Sequence, residues 1–292
     1  MSRSPLYYLS PILKTGLFIF FIILWVVPVI VVLNFNFLPF EKDSFALDFF
    51  AESGLVIAVL GALLMIFAVF YQIDWWTVFV RKLGALSGFL KGSLIGLLLV
   101  AVCGGILWAN GNVSFTEGYI NPALLIGYLA YFILVAVFEE LMFRTYALFV
   151  LTEKYPMAVA VLINSIGFGL VHLANPGYTP LAFLNIILAG ALFSVFTLLK
   201  QNVSWAIGIH FGWNFAQGIL LGYKVSGIDT PRALIAKPIG EAYLSGGAFG
   251  IEGSIFCTLV LGILVIWLLY RYRFAPVELP LEITSEEKEQ IE

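Results

Sequence analysis

Apolar residues along this chain fall into long runs, near 16–37, 54–73, 89–109, 122–150, 156–174, 181–200, 203–222 and 253–272. A helix needs about 20 mainly apolar residues to cross the hydrocarbon core of a bilayer. The pattern therefore predicts about eight transmembrane helices in one all-α polytopic domain over residues 1–275. At ~1.5 Å per residue, the run at 122–150 is longer than a ~30 Å core, so it must tilt or protrude. Only two segments read as water-exposed: a loop over 223–252 and an acidic cytoplasmic tail over 276–292, ending TSEEKEQIE. The first run follows Arg3 and Lys14, as a signal peptide would. It exceeds the ~7–15 residues of a signal h-region and has no small-residue cleavage pattern, which predicts a retained span. No internal repeat interrupts the series.

Composition sharpens the class. The chain has 292 residues, of which 61% are hydrophobic and 11% charged, and its mean hydropathy is +1.01. Soluble domains are nearer a quarter charged, and no soluble packing hides this much apolar side chain. Membrane lipid is therefore an expected partner. The net charge of −3 is too small to argue for nucleic acid. Cys103 and Cys257 both lie inside apolar runs and read as packing residues. Eleven of the fifteen lysines and arginines fall on one side of the predicted helices, against Lys42, Lys224, Arg232 and Lys237 on the other. The positive-inside rule then predicts a multi-pass cell-membrane protein with both termini cytoplasmic.

Against this background the stretch VAVFEELMFR, Val135 to Arg144, stands out. A charge near a bilayer centre costs at least about 2.5–3.5 kcal/mol, and intramembrane ionisable residues mark function by default. Glu140 and Arg144 are i,i+4 neighbours and can pair. Glu139 points about 100° away on a helix of ~3.6 residues per turn and is left to face something else. A purely structural ion pair between helices is the competing reading. The only two histidines, His172 and His210, also fall in predicted spans, and His210 shares a helix face with Asn214 at i,i+4. From the turn near residues 153–155, Glu139 lies about 21 Å back along the fourth helix and His172 about 24 Å forward along the fifth. The two side chains therefore reach nearly the same height, which a shared site requires.

A carboxylate and a histidine on facing helices can activate a water between them. His210 and Asn214 can donate hydrogen bonds to the oxyanion formed when that water attacks a carbonyl. Together they make an amide-hydrolysis site without a serine or cysteine nucleophile and without a cofactor. The competing chemistry is a zinc ion held by Glu139, His172 and His210 with an open position for water. No HExxH motif is present, so such a centre would rest on three separate helices.

In EELMFR, FGLVH and HFGWN the motifs EExxxR, FxxxH and HxxxN follow one another on the fourth, fifth and seventh runs. In this order they resemble the CPBP family of intramembrane proteases, which includes the type II CAAX prenyl endopeptidases and the bacteriocin self-immunity proteins. The resemblance covers about 120–220. It implies that Glu139 and His172 activate water, that Glu140 and Arg144 support them, and that His210 and Asn214 form the oxyanion hole. It also implies glutamate-dependent catalysis, although the family is often called a metalloprotease group. Phe168, with Phe211, Trp213 and Phe215, is a candidate wall for an apolar substrate tail. The expected partner is a membrane-bound peptide or lipidated protein.

Two other classes remain in view. A proton-coupled transporter also uses intramembrane Glu, His and Arg, but transporters often show inverted repeats, and here the charges cluster in one half. A non-catalytic immunity or scaffold protein could keep the fold without the chemistry; the complete motif set argues against it.

Overall fold

The structure, a computed structural model, describes residues 5–34, 40–41, 44–70 and 73–272. The tail over 276–292 lies outside the described residues. The chain runs α1 (Pro5–Asn34), α2 (Phe45–Val69), α3 (Ala85–Ala109), β1 (Val113–Tyr119), α4 (Pro122–Met142), a π turn (Phe143–Ala147) and α5 (Leu148–Thr152). It continues through α6 (Met157–Val171), α7 (Pro180–Lys200), α8 (Ser204–Asn214), a second π turn (Phe215–Leu220), β2 (Arg232–Pro238), α9 (Ala242–Ser245), a 3₁₀ turn (Ile251–Gly253) and α10 (Ile255–Tyr272).

Helices occupy all eight predicted runs, but among the described residues six helices are long and apolar enough to cross a membrane. The run at 156–174 forms α6, which is only 15 residues long. The run at 203–222 is an 11-residue helix extended by a π turn. Hydropathy measures apolar content, and both segments are stopped by polar or glycine-containing turns that an apolar window averages away. The second helix differs as well. It starts at Phe45 instead of residue 54, because the Ser44 hydroxyl accepts from the Leu47 N–H as an N-cap. That shift brings Glu52 inside the helix.

The 223–252 segment also departs from a plain loop. β2 pairs antiparallel with β1, from Val113 opposite Pro238 to Tyr119 opposite Arg232. The two strands lie on separate loops at the same end of the bundle, so no local turn signal announces their pairing. Lys14 forms an ion pair of 2.8 Å with Glu153 at the opposite end, joining the start of α1 to the turn after α5.

α7 carries the core and packs against α6, α8 and α10, while α3 lies along α8 and α2 lies against α1 and α4. The outer faces are apolar: Leu86, Ile263, Ile266 and Phe20 are exposed, as a lipid-facing surface requires. The α3–α8 contact is set by small residues. Gly96 sits so close to α8 that a Cβ on it would lie 2.1 Å from the Ile209 carbonyl oxygen. Without a hydrophobic drive between helices in lipid, such backbone approach supplies the packing. It also sets where α8 holds His210. Gly96→Ala should therefore destabilise the protein by about 1–3 kcal/mol through overpacking. Gly105→Ala, on the same helix with open space around it, should be tolerated. Thermal unfolding of both variants in detergent checks this.

Candidate active site

Three helices deliver the polar residues. α4 presents Glu139 and Glu140 just before its π turn. Single π turns break the regular hydrogen-bond ladder and recur at functional sites. Here Thr145 takes non-helical angles (φ −102°, ψ −114°) and its hydroxyl bonds back to the Leu141 carbonyl. The Phe143 carbonyl is taken up by Asn164 Nδ2 of α6 at 2.7 Å, so that carbonyl has a partner at the break. His172 caps the C-terminus of α6, and the chain then turns away through Asn175–Gly177, where Gly177 has φ +76°. α8 presents His210 and Asn214 one turn apart.

These side chains converge. His172 Nε2 lies 3.7 Å from Glu139 Oε2, and His210 Nε2 lies 4.0 Å from the same oxygen. The first distance is too long for a direct hydrogen bond and within the span of one water. His172 Nδ1 donates to the Phe168 carbonyl at 2.8 Å, which fixes the ring and leaves Nε2 facing Glu139. His210 Nδ1 bonds Glu140 Oε1 at 2.9 Å, and its ring stacks on Phe193 at 5.1 Å.

Glu140 is fully buried and serves two partners. Its Oε2 lies 3.2 Å from Arg144 Nε, a close ion contact that is not aligned as a hydrogen bond. Sequence spacing anticipates this pair but not the second partner, His210. Arg144 is also fully buried. Its Nη2 donates to the Gly190 carbonyl at 3.1 Å, and its guanidinium lies 4.2 Å from the Phe168 ring centre and 5.3 Å from Phe193. Stacking and the ion pair together hold a charge that would otherwise be very costly in this position.

A cavity of about 100 Å³ opens beside Glu139, His172, His210 and Asn214. That is room for a few waters. Phe168 and Trp213 line it, whereas Phe211 and Phe215 stack on each other and do not. Val225, Ser226, Ile228 and Thr230 of the loop after the second π turn also line it. Sequence reasoning passed over Asn185 and Glu252, which also line it. Glu252 Oε2 accepts from the Ser226 N–H at 2.8 Å and from Gln217 Nε2 at 3.0 Å. Its own carbonyl accepts from Asn185 Nδ2 at 2.7 Å. Burial pushes the Glu252 carboxyl above its ordinary value, against the hydrogen bonds that pull it down. The signal for these residues was present: an asparagine inside an apolar run, and an acid in the glycine-rich FGIEGS.

The convergence invites a metal, so the fit matters. Three donors about 2.0–2.2 Å from one tetrahedral zinc stand roughly 3.3–3.5 Å apart. The spacings of 3.7 and 4.0 Å are wider. Among the described residues, no group of three or more His, Cys, Asp or Glu side chains is arranged to hold an ion. As placed, these residues fit a water better than a zinc.

Comparison with known proteins meets the site directly. Residues 121–216 match the family model described as type II CAAX prenyl endopeptidase Rce1-like. Through this segment the chain is similar to that family. The match covers about a third of the chain and contains all of Glu139, Glu140, Arg144, Phe168, His172, His210 and Asn214. It supports a membrane protease. Comparisons with curated proteins and with solved structures gave no match.

Proposed function

We propose that this chain is an intramembrane endopeptidase that hydrolyses a peptide bond in a membrane-associated substrate of the prenylated CAAX type. The observation that carries the reading is the meeting of both histidine Nε2 atoms on one Glu139 oxygen, 3.7 and 4.0 Å away, at a small cavity. In this reading a water sits between Glu139 and His172 and donates a hydrogen to each. Glu139 takes one proton as the water oxygen adds to the carbonyl carbon. The resulting oxyanion accepts from Asn214 Nδ2 and from His210 Nε2–H. Because His210 Nδ1 already donates to Glu140, the second donor requires the doubly protonated ring, with Glu140 at one end and Glu139 at the other. Glu139 then returns its proton to the amine nitrogen as the C–N bond breaks, leaving an acid and an amine.

Both termini facing the cytoplasm belongs to the same proposal, supported by the eleven-to-four division of basic residues. The test is cleavage of farnesylated CAAX peptides and of plain membrane peptides by the purified protein, with and without a strong chelator. Cleavage that survives the chelator is expected. Cleavage abolished by the chelator and restored by zinc would replace the water-only mechanism. Inactivity of the wild type on every substrate would favour a transporter or scaffold. Asn214→Ala should lower turnover on the order of 10²–10³-fold, the usual cost of one oxyanion donor, with KM little changed; single-turnover kinetics measure it.

A further inference from the structure

A further carboxylate, Glu52 of α2, lies within electrostatic reach of Glu139, outside the family segment and outside every motif. The Phe45 ring at the start of α2 packs on Tyr128 and Tyr131 of α4, with centroids 4.7 and 6.2 Å apart. At the other end Phe70, just past α2, meets Tyr146 at 6.4 Å, so α2 and the α4 segment run parallel. Glu52 lies two turns beyond Phe45 and Glu139 lies three turns beyond Tyr128, so each shares the face that makes this contact. The climbs of about 10.5 and 16.5 Å differ by an amount that two glutamate side chains can span. Glu52 is within electrostatic reach of both Glu139 and His210. Its Oε1 is buried without a hydrogen-bond partner, and so is Glu139 Oε2.

Of the other groups around Glu52, His210 of α8 attracts its charged form, but that ring is already bonded to Glu140. Tyr131 of α4 and Asp48 one turn back on α2 share its surroundings. The only charged side chain of α1, Lys14, is engaged with Glu153 at the opposite end of the bundle. Two carboxylates facing each other in a low-dielectric site cannot both ionise without strong repulsion, and one proton shared between them removes it.

We propose that Glu52 is a positioning residue of the active site: it carries a proton in the resting protein and hydrogen-bonds Glu139 through one water. Glu139 is then the only ionised member of the pair, and its charged oxygen is held toward the water it must deprotonate. The inference rests on the hydrolytic reading for its catalytic consequence, but not for the protonated carboxyl itself.

The test uses the full chain as wild type, Glu52→Gln, Glu52→Leu and Glu52→Asp, with Glu139→Gln alongside. Infrared difference spectra at neutral pH read the carboxylic-acid C=O stretch, which needs no substrate. A band present in the wild type, absent from Glu52→Gln and Glu52→Leu and shifted but present in Glu52→Asp is expected. In kinetics, Glu52→Leu should lose at least about tenfold in kcat with little change in KM, as for a lost proton-positioning contact. Glu52→Gln keeps a hydrogen-bond donor and should stay active near neutral pH. It should also lack the alkaline fall in rate that loss of the Glu52 proton produces in the wild type. Glu52→Asp should restore that fall, which a merely structural role would not do. Absence of any band that depends on Glu52 overturns the proposal, as does wild-type turnover and pH profile in Glu52→Leu. If Glu139→Gln is inactive while the Glu52 variants match the wild type, only the Glu52 role fails. If Glu139→Gln still cleaves, the hydrolytic reading fails, and the band alone decides the protonation of Glu52.

Discussion

Glu139→Gln nearly abolishes proteolysis, His172→Ala does the same, and the double variant is little worse than either alone: this is the expected outcome of a mutational cycle on the purified protein. Glutamine preserves the shape of Glu139 but cannot take a proton from water. Alanine at His172 removes the second acceptor that holds that water, 3.7 Å from Glu139 Oε2. General-base catalysis contributes typically about 10²–10⁴-fold, so each single change should cost within that range or more. Groups that act as a unit lose their joint contribution once, so the effects should not add. Additive losses would mean that the two side chains serve separate steps. Because both are largely buried, folding should be checked by thermal unfolding of each variant. Wild-type cleavage by folded Glu139→Gln would remove Glu139 from the mechanism.

Arg144→Met should be among the most destabilising single changes in the protein. Arg144 and Glu140 are both wholly inaccessible, and removal of Arg144 leaves the buried Glu140 charge with His210 as its remaining partner. Breaking a buried pair in this way costs about 3–5 kcal/mol, whereas replacing both members by apolar residues is often neutral or better. The double variant Glu140→Leu/Arg144→Met should therefore recover much of the lost unfolding temperature. Activity should not recover with it. Glu140 is also the acceptor for His210 Nδ1 at 2.9 Å, and without it the ring loses the contact that orients Nε2 toward the cavity. Stability and turnover measured on the same preparations separate the two roles. A double variant that regains both would reduce Glu140 to a structural ion-pair partner.

Much of the helical frame is legible in the chain because hydropathy and helical spacing are local properties. Runs of about 20 apolar residues locate the long helices, and i,i+4 spacing alone anticipates Glu140 beside Arg144 and His210 one turn from Asn214. Equal distances from the 153–155 turn anticipate that Glu139 and His172 meet, since rise per residue converts directly to height along a hairpin. The same local reading overextends α6 and α8, whose ends are decided by turns and not by apolar content. It also starts α2 nine residues late, and so leaves Glu52 outside its helix.

Other features depend on which helices cross, and no periodicity encodes that. Glu140 reaches His210 because α4 packs against α8, and α8 takes its place because Gly96 lets α3 approach to backbone contact. The strands β1 and β2 pair across more than a hundred residues of sequence. Glu252 enters the cavity wall through bonds to Gln217, Ser226 and Asn185 on three different segments. Sequence by itself determined the membrane class, the helical frame and the polar residues that are costly enough in lipid to demand a role. Tertiary structure alone decided which of them meet, because a buried charge is stabilised by its neighbours in space, and those are set by packing far apart in the chain.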